Sequence, residues 1–206
     1  MLPNIREQAY ELAYRLACEK LASMDIELQC HKCGAQYVDH NRIIVEYLHR
    51  PYLIALPDSE ISLKDNKEEV SLRDRILILH YLTLAKGTPA TNRLVTFKQL
   101  PGGASYFPAF FQRATKRLLN HFGKEPELLT DAAAKLGGYK ANYADVAVTI
   151  NAFPRVPITI ALWQGDDEFP SMGSIMFDAS ISDYLSTEDI TVLCETIIWG
   201  LAKSLS

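Results

Sequence analysis

The sequence lacks the long runs and catalytic signatures that settle a function at sight. No apolar stretch reaches roughly 18 residues, so a membrane span is not expected. The opening Met1-Leu-Pro-Asn-Ile-Arg-Glu-Gln has no basic segment leading into an apolar core, so no secretory leader is expected. An excess of one charge is also missing: 21 Lys and Arg stand against 25 Asp and Glu, interleaved, for a net charge of −4. That balance argues against a dedicated nucleic-acid surface. Four cysteines in 206 residues are too few for a disulfide scaffold and read as thiols or ligands in a reducing compartment, so the cytoplasm is expected. There is no G-x-x-x-x-G-K-[ST] or G-x-G-x-x-G phosphate loop, no Gly-x-Ser-x-Gly, no His-Glu-x-x-His, and no Cys-His spacing that would support a nucleophile. Repeats, low-complexity tracts and linkers are absent too.

What is present is enough apolar material, 48% of the chain, to bury a sizeable core. The chain reads as one domain, 1–206, with 1–62 as a small helix-plus-hairpin lobe. Asn4 to Ser23 places Ile5, Tyr10, Leu12, Ala13, Leu16, Ala17 and Leu21 near helical spacing and predicts an amphipathic helix. Ile43-Ile-Val-Glu-Tyr-Leu and Pro51-Tyr-Leu-Ile-Ala-Leu predict a hairpin linked by His49-Arg50. Ser71, with Asp74 three residues on, opens a mostly apolar central helix running toward Gly87. A short strand over Leu94 to Phe97 and helices over Tyr106 to Phe122 and Pro126 to Leu136 follow. Asp145 to Asn151, Val156 to Trp163 and Ser174 to Asp178 predict a three-stranded meander, and Ser186-Thr-Glu-Asp opens a last helix reaching Lys203. Short connections favour antiparallel pairing. The expected fold is α+β, an antiparallel sheet with helices packed mainly on one side.

Ile78-Leu-His-Tyr-Leu, Lys86-Gly-Thr-Pro, Leu100-Pro-Gly-Gly, Phe122-Gly, Pro154-Arg-Val-Pro, Leu162-Trp-Gln-Gly-Asp-Asp-Glu-Phe-Pro, Phe177-Asp-Ala-Ser and Tyr184-Leu-Ser-Thr-Glu-Asp occur in order. Through them the chain, from about Val70 onward, resembles the domain-of-unknown-function 3786 family of anaerobic bacteria and archaea. The resemblance implies no named activity. Its association with corrinoid and one-carbon proteins, some with an added iron-sulfur segment, suggests a cofactor-related role and a protein partner in that metabolism. The iron-sulfur segment is not expected in this chain, and the resemblance does not include the cysteines discussed next.

Cys30-His-Lys-Cys33-Gly places two thiols where one metal could reach both, with Gly34 for the bend. It is half a zinc site, with His31, His40, His49 and Cys18 as candidates to complete it, or an inert pair. A redox pair would open a helix after a strand, whereas this one precedes a hairpin. His80, inside an apolar run, reads either as a core histidine or as an axial ligand to a corrinoid cobalt or another tetrapyrrole metal. Lys86-Gly87 reads as a helix C-terminus or an anion-binding turn. Gly102 and Gly103 permit close backbone approach, while Tyr106, Phe107, Phe110, Phe111 and Arg113 supply flat surfaces and a planar cation, as a pocket wall or as a core cap. Asp166, Asp167 and Glu168 read as a solvated hairpin tip or a cation-binding loop. Arg155 is the expected ion-pair partner of Asp178.

Two functions fit these residues. One is a binding or accessory protein that holds a flat ligand, a corrinoid or other tetrapyrrole, between the Leu100 to Arg113 segment and the C-terminal sheet. The other is an enzyme on a small anionic substrate, with Lys86, Arg113 and Arg155 binding charge and Asp178 or Glu168 moving protons. An interaction subunit that docks a partner through exposed aromatics is a third reading.

Overall fold

The structure, a computed structural model, describes residues 5–39, 41–66 and 68–205; Asn4, His40 and Lys67 lie outside the described residues. Two helices come first. α1 (Ile5–Ala22) is the expected amphipathic helix, yet it buries only part of its apolar face: Ala17 and Leu21 are buried while Leu12 and Leu16 stay exposed. α2 (Ile26–Cys33) was not expected. Its ends are nevertheless well marked, since the Asp25 carboxylate accepts from the Leu28 amide at 3.0 Å and Gly34 closes it at φ 74°.

The first sheet is antiparallel in the order β1 (Gln36–Val38), β2 (Arg42–Tyr47), β3 (Arg50–Ala55), β4 (Glu60–Leu63). Ile43, Val45, Tyr47, Tyr52, Ile54, Ile61 and Leu63 alternate inward, so one face is buried and the other solvated. The hairpin link is Leu48-His49, one residue earlier than expected, and both residues take positive φ (49° and 62°) as the twist of a two-residue turn requires.

α3 (Leu72–Leu84) starts at Ser71, whose hydroxyl accepts from the Asp74 amide, and buries Ile76, Leu77, Ile78, Leu79, Tyr81 and Leu82, as a central helix should. The second sheet has the order β5 (Leu94–Thr96), β9 (Met172–Asp178), β8 (Val156–Trp163), β7 (Val146–Phe153), β6 (Tyr139–Lys140), antiparallel throughout. Nearly every residue of β7 and β8 is buried, so both faces of this sheet are covered. Between β5 and β6 run α4 (Gly103–Phe110), a π-helical turn (Phe111–Thr115), α5 (Lys116–Phe122) and α6 (Leu128–Ala134). The last helix, α7 (Thr187–Lys203), carries the expected capping box between Ser186 and Asp189.

The α+β class and antiparallel pairing are as the sequence predicts, with two sheets where one was expected. A stack of rings joins them: Tyr47 of the first sheet lies on Phe153 of the second at 4.8 Å, and Tyr81 of α3 on Phe153 at 4.1 Å. The Leu48 amide adds a hydrogen bond of 3.0 Å to the Ala152 carbonyl. Removing the Phe153 ring would therefore open a cavity at a three-way junction, a loss on the order of 3–5 kcal/mol.

Candidate functional site

The segment from Phe97 to Phe122 is built by a tight reversal. The Gln99 side chain accepts from the Thr96 amide at 2.8 Å, the Gly103 amide donates to the Leu100 carbonyl at 2.8 Å, and Gly102 sits at φ 70°. A Cβ on Gly103 would fall 1.9 Å from the Phe97 carbonyl oxygen, so that glycine is needed for α4 to start against the preceding turn. Gly102 has open space around it instead. The helix that follows has two working faces. Phe107, Phe110, Phe111 and Thr115 turn toward β5 and β9; Tyr106, Arg113 and Arg117 turn toward α7.

The first face borders a half-open cavity of about 270 Å³, lined by Phe97, Lys98, Phe107, Phe110, Phe111 and Thr115 with Thr96, Gly173, Ser174 and Ile175 of the sheet. Its floor is rigid: Phe97 and Phe110 are each 1% exposed, stack at 3.9 Å, and meet the Phe177 ring edge-on. The rings of Phe107 and Phe111, 6.0 Å apart and tilted by 43°, form a half-buried corner at the mouth. The Lys98 ammonium stands 4.3 Å over the Phe107 ring. Among the described residues no carboxylate lines the cavity. The π-helical turn forms part of the wall, and such turns recur at functional sites.

The second face is an ion-pair network on α7. Glu195, with its side chain 11% exposed, accepts from Arg113 Nε (3.1 Å) and Nη2 (3.0 Å), and from Arg73, while Arg117 lies 3.6 Å away. Burial opposes ionisation of Glu195, but hydrogen bonds from Arg113 and the charges of Arg73 and Arg113 hold its carboxyl below the ordinary range. Arg113 also reaches Glu188 at 3.1 Å, and the hydrogen bond with Glu188 raises the Tyr106 phenol. His80 joins the same helix: its Nδ1 is 2.7 Å from Asp189, which the Ser186 cap also holds. Among the described residues Nε2 of His80 makes no hydrogen bond, so that atom alone is left for a ligand.

The remaining candidates gather under the irregular segment 85–93. Lys86 bonds Asp183 at 2.8 Å, as does Thr88, and both lower the Asp183 carboxyl. Asp178 is 4% exposed and accepts from the amides of Thr91, Asn92 and Ser180 and the hydroxyls of Thr91 and Ser180, at 2.7–3.0 Å. Burial works against its charge, yet these donors win and bring it down to about 2. Its expected ion pair with Arg155 is not formed. Five neutral donors satisfy the carboxylate, while the Arg155 amide donates to the Tyr81 hydroxyl at 3.1 Å and its exposed side chain lies beside Gly34.

Cys30 and Cys33 sit in the last turn of α2 rather than in a knuckle, both buried. Burial pushes their thiols up to about 12 and about 11, and Tyr81 donates to the Cys33 carbonyl at 2.5 Å. His31 and His49 are exposed, and His40 lies outside the described residues. Among the described residues no group of three or more His, Cys, Asp or Glu could hold a metal ion. Asp166 turns onto its own loop, accepting from the amides of Glu168 and Phe169, while Asp167 and Glu168 are exposed.

The sequence-predicted residues therefore fall into separate places. Phe110 lines the aromatic cavity, with Gly102 and Gly103 in the reversal before it; Tyr106, Arg113 and His80 meet on α7; Lys86 and Asp178 anchor the 85–93 segment; Arg155 and Cys33 bond Tyr81, and Cys30 lies in the same turn of α2 as Cys33. Lys98 and the Gly173–Ile175 edge were missed, because only the pairing of β5 with β9 brings them to the aromatic helix.

Fold and cavity define an α+β protein with an aromatic pocket between a sheet edge and a π-bulged helix. The family model for the domain of unknown function DUF3786 matches residues 25–199, and the chain belongs to that family. The match starts before Val70, so α2, the cysteine pair and the first sheet lie inside it and α1 outside. Searches of curated proteins and of solved structures gave no match. Among the described residues no helix is long and apolar enough to cross a membrane.

Proposed function

We propose that this protein binds a small flat molecule, and that the ligand lies in the aromatic cavity between the Phe97–Thr115 segment and β9. The observation that carries this reading is the arrangement of rings: a floor of stacked buried rings, an open corner of two more, and a π-helical wall beside a half-open pocket of about 270 Å³. An apolar cavity of about 150 Å³ is enough for benzene, so this volume suits one or two fused rings. A corrinoid or other tetrapyrrole macrocycle exceeds it. His80, the axial ligand in that scheme, is not among the lining residues, and Arg113 is committed to Glu188 and Glu195.

The enzyme reading is less well supported. Of its two proton-transfer candidates, Asp178 is held in the ionised form by five donors and Glu168 is exposed on its own loop, while Lys86 is paired with Asp183 and Arg113 with Glu188 and Glu195.

The test is calorimetric titration with indole as the probe, on the wild type, Phe111→Ala and Phe107→Ala. Phe111→Ala removes one side of the aromatic corner and is expected to weaken binding while the circular dichroism spectrum is retained. Phe107→Ala is expected to weaken it about tenfold, the loss of one ring contact. Absence of binding by the wild type, or equal affinity in all three proteins, would refute the proposal.

A further inference from the structure

The charge pattern around the cavity narrows the ligand class. Among the described residues ten line it, and Lys98 is the one charged side chain of these. Both arginines of the helical segment that follows are neutralised on its far face, Arg113 by Glu188 and Glu195 and Arg117 by Glu195, while Lys116 bonds Gln112 at 3.2 Å and does not line the cavity. Lys98 differs from both arginines. Among the described residues it forms no ion pair, and its ammonium is held over Phe107 at the mouth, where it meets a π-face rather than a carboxylate. A cation beside an apolar floor matches a ligand with a flat ring and one negative group. The chain's net charge of −4 gives no general attraction for anions, so any preference must come from this local cation.

We propose that the ligand is a small aromatic monoanion, such as an aryl carboxylate, with Lys98 as its counter-charge. This rests on the cavity being the ligand site. The ring would lie against Phe107 and Phe111 over the Phe97–Phe110 floor, with its anionic group outward toward Lys98, where some water screens the pair. The expected gain from charge is accordingly modest, about fivefold in affinity, and it shrinks with salt.

Four probes that share one ring system separate this claim from the broader one: indole-3-carboxylate, the neutral indole-3-carboxamide, indole, and the cation tryptamine. Titrated at low ionic strength, the carboxylate is expected to bind about fivefold more tightly than the carboxamide. High salt is expected to erase that difference, and Lys98→Gln is expected to bind the carboxylate and the carboxamide alike. Lys98→Arg is expected to keep the preference. If indole binds but the carboxylate has no advantage, if tryptamine binds best, or if Lys98→Gln keeps the preference, the anion assignment falls and the cavity reading stands. If none of the four binds the wild type, both fall.

Discussion

Asp178→Asn is the substitution whose cost follows most directly from the geometry. Oδ1 of Asp178 accepts four hydrogen bonds, from the amides and hydroxyls of Thr91 and Ser180, and Oδ2 accepts one from the Asn92 amide. An asparagine placed with its oxygen at Oδ1 would turn its NH₂ donor onto the Asn92 N–H. The carboxyl titrates at about 2 in the fold against 3.8 for the free group, and is 4% exposed, so no large screening discount applies. A folded value below the unfolded one means the stabilisation is fully present above pH 4 and fades as pH falls toward 2. From that shift the ionised carboxylate contributes about 2 kcal/mol at neutral pH, and about 1 kcal/mol near pH 3. Urea unfolding of wild type and variant at both values is the assay. The stability gap is expected to be about 2 kcal/mol or more at neutral pH and to narrow by about 1 kcal/mol at the acidic value. A gap below about 0.5 kcal/mol, or one that does not change with pH, would refute the reasoning.

Further expectations concern the network, the reversal and the thiols. Glu195→Ala leaves Arg73 and Arg113 without their shared carboxylate and is expected to cost about 3 kcal/mol in urea unfolding. Glu188→Ala, whose side chain is 55% exposed, is expected to cost under about 0.5 kcal/mol; equal losses would contradict the reading. Gly103→Ala, with its Cβ against the Phe97 carbonyl, should destabilise by more than about 2 kcal/mol, whereas Gly102→Ala meets only its positive φ and should cost about 1 kcal/mol. Cys30 and Cys33, held protonated by burial, should stay unreactive toward a disulfide reagent at mildly alkaline pH until the protein is unfolded. Rapid native labelling at either would show that α2 does not bury them.

Much of the scaffold was legible because its signals are local. Ser71 and Ser186 announced α3 and α7, and the alternation in Ile43 to Leu56 announced the first hairpin. α2 was as legible in principle, with Asp25 and Gly34 marking its ends, but Cys30 and Cys33 drew the eye to a metal turn. The π-helical turn has no such marker in Phe111-Gln-Arg-Ala-Thr, since one extra residue per turn is decided by packing. The aromatic character of the site was readable, its electrostatics were not. Arg113 looked like a free cation, yet its partners lie 75 and 82 residues away along the chain. Arg155 and Asp178 looked like a pair, yet Thr91, Asn92 and Ser180 fold in to satisfy the carboxylate first. Such assignments depend on which elements meet, and short-range patterns carry no record of that.

The central claim is that the cavity beside Phe107 and Phe111 takes up a flat ligand. Fluorine NMR of protein labelled with 4-fluorophenylalanine reads it directly, because the chain has eight phenylalanines and each resonance can be assigned by substitution. On titration with indole, the resonances of Phe107 and Phe111 are expected to move together and saturate, while that of Phe153, enclosed by Tyr47 and Tyr81, stays in place. Unmoved Phe107 and Phe111 signals at saturating probe, or shifts confined to the exposed Phe169, would contradict the account.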